Sequence, residues 1–232
     1  MEAHRIMLSE STEMYLITVY RLTDGDRPFA SITETANMLG IKHSSASEKV
    51  RRLAEQGYLR HDQREGVALT DEGRRIAVNV LRKHRLIKTY MVNLGGYTLD
   101  EVYDEACRLE HAITDRFADS LERLLNYPEV DPHGYPIPTR DGQVARLNYA
   151  SLNDFSPGDV VIVRRIEAHN QEKLTYLREL GLVPGAAVTV ESIAPFDGPL
   201  MLRIAGRPSF VHIAPSLAQE VEVSPAPANQ TG

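Results

Sequence analysis

The stretch from Ser31 to Gly73 constrains this chain more than any other. It opens with Ser31-Ile32-Thr33-Glu34, a hydroxyl that caps a helix followed three residues on by a carboxylate that reaches back. The short helix turns Ile32, Ala36 and Leu39 inward and stops at Gly40. A turn, Gly40-Ile41-Lys42-His43, leads to a second helix expected from about Ser44 to Gln56. Ala46, Val50 and Leu53 face inward; Ser44, Ser45, Ser47, Glu48, Lys49, Arg51 and Arg52 face out. Gly57-Tyr58-Leu59-Arg60-His61 then starts a strand, Gln63 to Gly66 turns it, and Val67 to Thr70 returns. Thr70-Asp71-Glu72-Gly73 begins a further helix. Short helix, tight glycine turn, second helix and hairpin form the pattern of a winged helix-turn-helix.

The outward residue types fit the reading of double-stranded DNA. Hydroxyls donate or accept at base edges and phosphates, and Lys and Arg neutralise phosphates. The expected contacts are Lys42, His43, Ser44, Ser45, Ser47, Lys49, Arg51, Arg52 and, in the hairpin turn, Arg64. Glu48 is not a phosphate residue; it faces a cytosine amino group or stays out of the groove. The competing reading is a winged helix that binds protein, with its charges merely solvated. Net charge is −6, which argues against an indiscriminate polyanion binder. Its distribution is uneven: 15 Lys and Arg stand against 12 Asp and Glu in residues 1–90, and 11 against 20 in the remainder. Local charge governs nucleic-acid binding more than the total does, but this asymmetry is mild.

A helix from Met7 to Leu22 precedes the motif, with Ser9 or Ser11 as cap and Met14, Leu16, Ile17 and Tyr20 as its apolar face. After the motif, Asp71 to Leu94 reads as one long amphipathic helix. Ile76, Val80, His84, Ile87 and Met91 lie on a single stripe, which places His84 among apolar neighbours. Gly95-Gly96 ends it, and Thr98 with Glu101 restarts a helix whose stripe is Leu99, Val102, Ala106, Leu109 and Ile113. A third helix, about Asp115 to Asn126, shows Phe117, Leu121, Leu124 and Leu125. This much apolar helix surface in a small module points to a homodimer interface.

Beside that second stripe lies Asp104-Glu105-Ala106-Cys107-Arg108-Leu109-Glu110-His111, which holds the only cysteine of the chain. Helix positions i, i+3 and i+4 share a face, about 5–6 Å apart, so Cys107, Glu110 and His111 can converge. A thiolate, a carboxylate and an imidazole suit a divalent transition metal. The bland alternative is a buried Cys107 that packs as a small hydrophobe, beside solvated Glu110 and His111.

From Tyr127 to about Phe155 the chain reads as an extended, partly mobile linker with four prolines in its first half. From Ser156 the pattern changes to short β runs at Val160–Val163, Ala187–Val190, Leu200–Ile204 and Phe210–Ile213, interrupted by a helix at Gln171–Leu180. This predicts a small β-barrel. Ser224 to Gly232 reads as a disordered tail. The expected division is a winged helix at 1–73, a helical dimerisation and metal-binding domain at 74–140, a linker at 141–156, the barrel at 157–224 and the tail at 225–232. The expected fold class is mainly α with a C-terminal all-β domain.

Hydrophobic content of 42% and charged content of 25% are those of a soluble globular protein. No apolar run approaches the ~18 residues of a membrane span, and Met1 to Ser9 lacks a signal-peptide core. A single cysteine cannot form an internal disulfide. A reducing, cytoplasmic setting is therefore expected. No Ser-His-Asp order, phosphate loop or acid/base carboxylate pair supports catalysis, so neither an enzyme nor a small organic substrate is expected.

Four local matches resemble the diphtheria toxin repressor family, which includes iron-dependent and manganese-dependent regulators. Thr12 to Leu16 resembles the family's opening helix, Arg82 to Leu86 its connecting helix, Asp104 to His111 its metal motif, and Asp131 to Thr139 its proline-rich exit. Tyr176 to Gly185 resembles the SH3-like domain that the family shares with a small ferrous-iron transport accessory protein. The resemblance implies a homodimeric, metal-activated repressor of metal-uptake genes that binds operator DNA. It implies a primary metal site of Met14, Cys107, Glu110 and His111. It also implies an ancillary site, for which His84 matches. There, however, Lys88 stands where the family has a carboxylate and Tyr103 where it has a histidine. The site is then lost or rebuilt from the C-terminal domain, with His169 and Glu172 as the residues that lie where such ligands come from. Cys and Met ligands favour Fe(II), Co(II), Ni(II) or Zn(II) over Mn(II); Fe(2+) is the first expectation and Mn(2+) the second. A metal-binding accessory protein without a DNA role is the alternative.

Overall fold

The protein is described by a computed structural model over residues 8–23, 27–167 and 171–227. In chain order the elements are α1 (Glu10–Leu22), α2 (Ile32–Leu39), α3 (His43–Glu55), β1 (Leu59–Asp62), β2 (Gly66–Leu69), α4 (Asp71–Asn93), α5 (Val102–Glu110) and α6 (Asp115–Leu124). Then come β3 (Ala150–Ser151), a 3-10 turn (Leu152–Asp154), β4 (Val160–Ile166), α7 (Gln171–Leu180), β5 (Ala187–Ile193), β6 (Leu200–Ile204), β7 (Val211–Ile213), α8 (Pro215–Ala218) and β8 (Val221–Pro225). The chain divides into two compact units. One comprises residues 1–87, 106–123 and 138–144; the other comprises 88–105, 124–137 and 145–232.

In the first unit the winged helix-turn-helix forms as its local signals require. The Ser31 hydroxyl accepts the Glu34 N–H at 3.1 Å, and the Glu34 carboxylate accepts the Ser31 N–H at 3.0 Å. Gly40 closes α2 at a φ of 64°, the left-handed region that glycine enters without steric cost. Ala46, Val50 and Leu53 of α3 are fully buried in the same core as Tyr15, Leu16 and Val19 of α1. Burying Val50 and Leu53 stabilises by about 1.5–3 kcal/mol each. α1 is shorter than the sequence predicts, and Ser9 precedes it without a side-chain bond to the helix backbone. Residues 1–7, into which the expected helix extends, lie outside the described residues.

The wing pairs Leu59 with Leu69 and Asp62 with Gly66, antiparallel. It leans on the start of α4. A Cβ built on Gly73 would lie 2.0 Å from the Tyr58 carbonyl oxygen. Gly→Ala inside a helix ordinarily stabilises by about 1 kcal/mol. Gly73→Ala is instead expected to lower the melting temperature, because rigid backbone occupies the space. A thermal melt of the variant checks the sign.

The apolar stripe of α4 forms as predicted, with Ile76, Val80, His84, Ile87 and Met91 all buried. Arg82 is 1% exposed, a burial the spacing did not reveal. Its guanidinium donates to Asp119 at 3.1 Å and Glu122 at 2.8 Å on α6. α5 starts later than predicted: Thr98 donates to Glu101 from its N–H (2.9 Å) and hydroxyl (2.7 Å), but helix begins only at Val102. Its buried line is Val102, Ala106 and Glu110, whereas Leu109, expected inside, is 40% exposed. The helix is turned so that a carboxylate rather than a leucine meets α4, because Glu110 finds the imidazole of His84 there.

In the second unit, the proline-rich exit is not the loose linker expected from composition. Asp131, His133, Pro136 and Ile137 are buried. Asp131 accepts the backbone N–H groups of His133 (2.9 Å) and Tyr135 (3.0 Å) and is paired with Lys88 of α4 at 2.6 Å. The Ile166 N–H of β4 donates to the His133 carbonyl, and a Cβ on Gly134 would sit 1.9 Å from the Arg164 carbonyl. These satisfied backbone groups are what order the segment.

The C-terminal strands form one antiparallel sheet in the order β3-β8-β4-β5-β6-β7. Buried residues alternate along it: Val161 and Val163, Val188 and Val190, Leu200, Leu202 and Ile204, Val221 and Val223. Register shifts in β4–β8 and β5–β6 bend the sheet round this core. β3 and the 3-10 turn fall within the stretch read as linker, yet Leu152 is fully buried in the same core. Residues 228–232 of the expected tail lie outside the described residues.

Candidate metal centre

Two helices, α4 and α5, supply the centre from residues of the first unit. α5 sets Cys107 and Glu110 one turn apart, and His111 follows directly after its last residue. α4 supplies His84 from inside its apolar stripe. The ligand atoms of His84, Cys107 and Glu110 all lie within 4.8 Å of one another. Two ligands about 2.0–2.3 Å from one ion stand up to about 4.6 Å apart, close to that bound, so this donor set could hold a single divalent ion.

Glu110 is the hub. It is 2% exposed, and its two oxygens meet two imidazoles: His84 Nδ1 at 2.5 Å and His111 Nε2 at 3.2 Å. Burial works against its charge, but hydrogen bonds from His111 and His84 outweigh it and hold the carboxyl below its ordinary range. Burial likewise opposes charge on His111, and hydrogen bonds with Glu110 and Glu13 prevail, so its pKa is raised to about 9. A site that holds protons this firmly is one where a metal cation competes with them.

Glu13 was not singled out from the sequence. Its Oε2 lies 2.6 Å from His111 Nδ1, a contact between α1 and the octet. In the sequence it reads as an ordinary acidic residue in the first turn of a helix. Met14, expected as a ligand, is half-buried one residue along from Glu13. His84, expected at an ancillary position, instead groups with Cys107 and Glu110. Lys88 holds Asp131 in a buried pair, and Tyr103 is 41% exposed. Glu172 is exposed on α7 in the second unit, and His169 lies outside the described residues.

The outer face of α3 presents Lys42, His43, Ser44, Ser45, Arg51 and Arg52 to solvent, as does the wing tip with Arg64. Ser47 and Lys49 are half-buried. Lys49 departs from the outward reading: its ammonium donates to the Thr12 hydroxyl at 2.9 Å, and burial, with Arg52 nearby, lowers its pKa. Tyr15 donates to the Ala46 carbonyl over a long 3.4 Å, and burial pushes its pKa up to about 12. Thus α1 touches the reading helix through Thr12 and Tyr15 and the octet through Glu13.

A winged helix tied by one helix to a Cys/Glu/His centre defines a metal-responsive DNA-binding regulator. Comparison with known proteins places it more closely. Residues 7–67 match the iron dependent repressor N-terminal DNA binding domain, residues 70–139 the iron dependent repressor metal binding and dimerisation domain, and residues 150–225 the FeoA domain. The iron-dependent repressor IdeR of Mycobacterium leprae is 35% identical over 199 residues, which cover 80% of this chain and 85% of that one. The diphtheria toxin repressor of Corynebacterium diphtheriae is 30% identical over 175 residues, 75% of this chain and 74% of the other. Among solved structures, a manganese-dependent transcriptional repressor in complex with manganese has a TM-score of 0.81 at 35% identity, covering 93% of this chain and all of that one. ScaR with bound Zn2+ has a TM-score of 0.74 at 29% identity, covering 93% and 99%. The chain belongs to the iron-dependent repressor family, whose members are metal-dependent transcriptional repressors rather than enzymes. No helix among the described residues is long and apolar enough to cross a membrane.

Proposed function

We propose that this chain is a cytoplasmic, homodimeric repressor of metal-uptake genes. A divalent ion at Cys107, Glu110, His111 and His84, with Met14 alongside, turns it on. The observation that carries the reading is the pair of links made by α1. Glu13 bonds His111 of the octet while Thr12 and Tyr15 bond α3, so one helix joins the ion's ligands to the DNA-reading surface. A ligand that favours one placement of α1 shifts the population of DNA-competent molecules by its differential affinity for that state. Fe(II) is the first candidate: relatives named for iron share 35% identity, and the donor set includes a thiolate. Mn(II) is the second, in line with the manganese-dependent structural neighbour. Leu109, Phe117 and Leu124 are exposed on α5 and α6 and supply the apolar surface for a second copy.

The test uses duplex DNA selected from a random pool by the metal-loaded protein. Binding is expected to disappear with chelator and to return with Fe(II) or Mn(II); binding indifferent to both would end the switch reading. Arg51→Ala and Arg52→Ala are expected to weaken binding across all sequences. Each is expected to flatten the dependence of log affinity on log salt by about one unit per lost phosphate contact. Arg51 is exposed and pairs with exposed Glu55 at 3.0 Å, so folding should not suffer. A salt titration of the two variants measures this.

A further inference from the structure

Glu13 is not among the residues to which metal binding is assigned above. It nonetheless makes the contact that decides which nitrogen of His111 faces the centre. His111 Nδ1 lies 2.6 Å from Glu13 Oε2, and Nε2 lies 3.2 Å from Glu110 Oε1. The ring is therefore held between a carboxylate on α1 and the hub of the cluster. We propose that Glu13 is a positioning residue: it accepts the Nδ1–H of His111, fixes the tautomer with the proton on Nδ1, and leaves Nε2, on the Glu110 side of the ring, as the nitrogen that would hold an ion. A ligating histidine commonly donates its other ring N–H to a carboxylate, which orients the ring and raises its basicity. Glu13 stands on α1, the helix that also contacts the reading helix. Thr12 and Tyr15, on either side of Glu13 along α1, hold α3. His111 is aligned for the ion only while α1 is in the place that supports the reading helix. By linkage, DNA that favours that placement tightens metal binding by the same factor as metal tightens DNA binding.

The proposal rests on the octet as the metal site, and the experiment separates the two. Full-length wild type, Glu13→Ala and Glu13→Gln are titrated with Co(II), followed by the thiolate-to-cobalt and ligand-field absorption. Nitrogen-15 spectra of the zinc-loaded proteins report the protonated nitrogen of His111. Glu13→Ala is expected to lose about 10–100-fold in affinity, the usual effect of removing such a partner. It is also expected to lose the uniform Nδ1–H form. Glu13→Gln keeps an acceptor oxygen at the same place, so it should retain the tautomer and most of the affinity. Circular dichroism melts confirm that α1 remains folded in both. Wild-type affinity and an unchanged tautomer in Glu13→Ala would overturn the positioning role while leaving the metal site standing. Failure of the wild type itself to take up Co(II) would overturn both.

Discussion

Glu110→Ala is expected to weaken divalent-metal binding by more than about 100-fold and to abolish metal-dependent DNA binding, with the dimer retained. Removing a group that merely orients a ligand costs about 10–100-fold; Glu110 is proposed as a ligand in its own right, and it also meets both imidazoles. Glu110→Gln preserves the shape and one acceptor oxygen, so its remaining deficit isolates the charge. Cobalt titration, gel shift and sedimentation of the three proteins make the comparison. A variant that still responds to metal would show that the octet is not the sensing site. The metal-free fold is expected to suffer less than the ~3–5 kcal/mol typical of breaking a buried pair. His111 keeps its contact with Glu13 at 2.6 Å in that variant, so its imidazole is not left without a carboxylate. The pH dependence carries a sign. The pKa of His111 rises from its usual 6.5 to about 9 on folding. The stabilisation that its charged form contributes is therefore complete below about pH 6.5 and fades as pH rises through about 9. The gap in melting temperature between wild type and Glu110→Ala should narrow over that interval.

Lys88→Met is expected to destabilise the second unit by about 3–5 kcal/mol. At about 2–4 °C per kcal/mol for a chain of this size, the melting transition falls by about 6–20 °C. Lys88 and Asp131 are 5% and 3% exposed and 2.6 Å apart. Asp131 keeps the backbone N–H groups of His133 and Tyr135 in the variant but loses the Lys88 ammonium. The double variant Lys88→Met, Asp131→Asn removes the buried carboxylate charge as well while keeping an acceptor for those N–H groups. It should recover much of the loss, and the non-additivity measures the coupling. A single variant melting within a degree of wild type would show that the pair is not structural. The position also bears on metal count. The family resemblance places an ancillary carboxylate where this chain has an ammonium, and that ammonium is already engaged with Asp131.

Much of this was legible before any coordinates. The capping box at Ser31, the turn at Gly40, the inward set Ala46, Val50 and Leu53, and the α4 stripe that includes His84 all depend on residues within a few positions of one another. So does the octet, whose Cys107 and Glu110 need only one helical turn to meet. Local backbone geometry repeats every 3.6 or 2 residues, and a side-chain pattern with the same period states which face is inside. The alternating valines of β4, β5 and β8 follow by the same argument.

What the tertiary structure decided are the partners that no period connects. Glu13 lies 98 residues from His111, and Asp131 lies 43 residues from Lys88. Each alone reads as a common acidic residue, one near a helix start and the other in a proline-rich exit. The exit is ordered because Asp131 and the barrel strand satisfy its backbone, which composition does not disclose. α5 turned Glu110 rather than Leu109 inward because an imidazole waited on α4, a preference that hydrophobic periodicity inverts. Gly73 is a helix residue whose best local replacement is alanine, until the Tyr58 carbonyl occupies the place of its Cβ. The amino-acid sequence thus determined the elements and most of their buried faces. The choice among distant polar partners came only when the chain closed, because burial makes an unpaired charge costly and topology alone determines which charges are within reach.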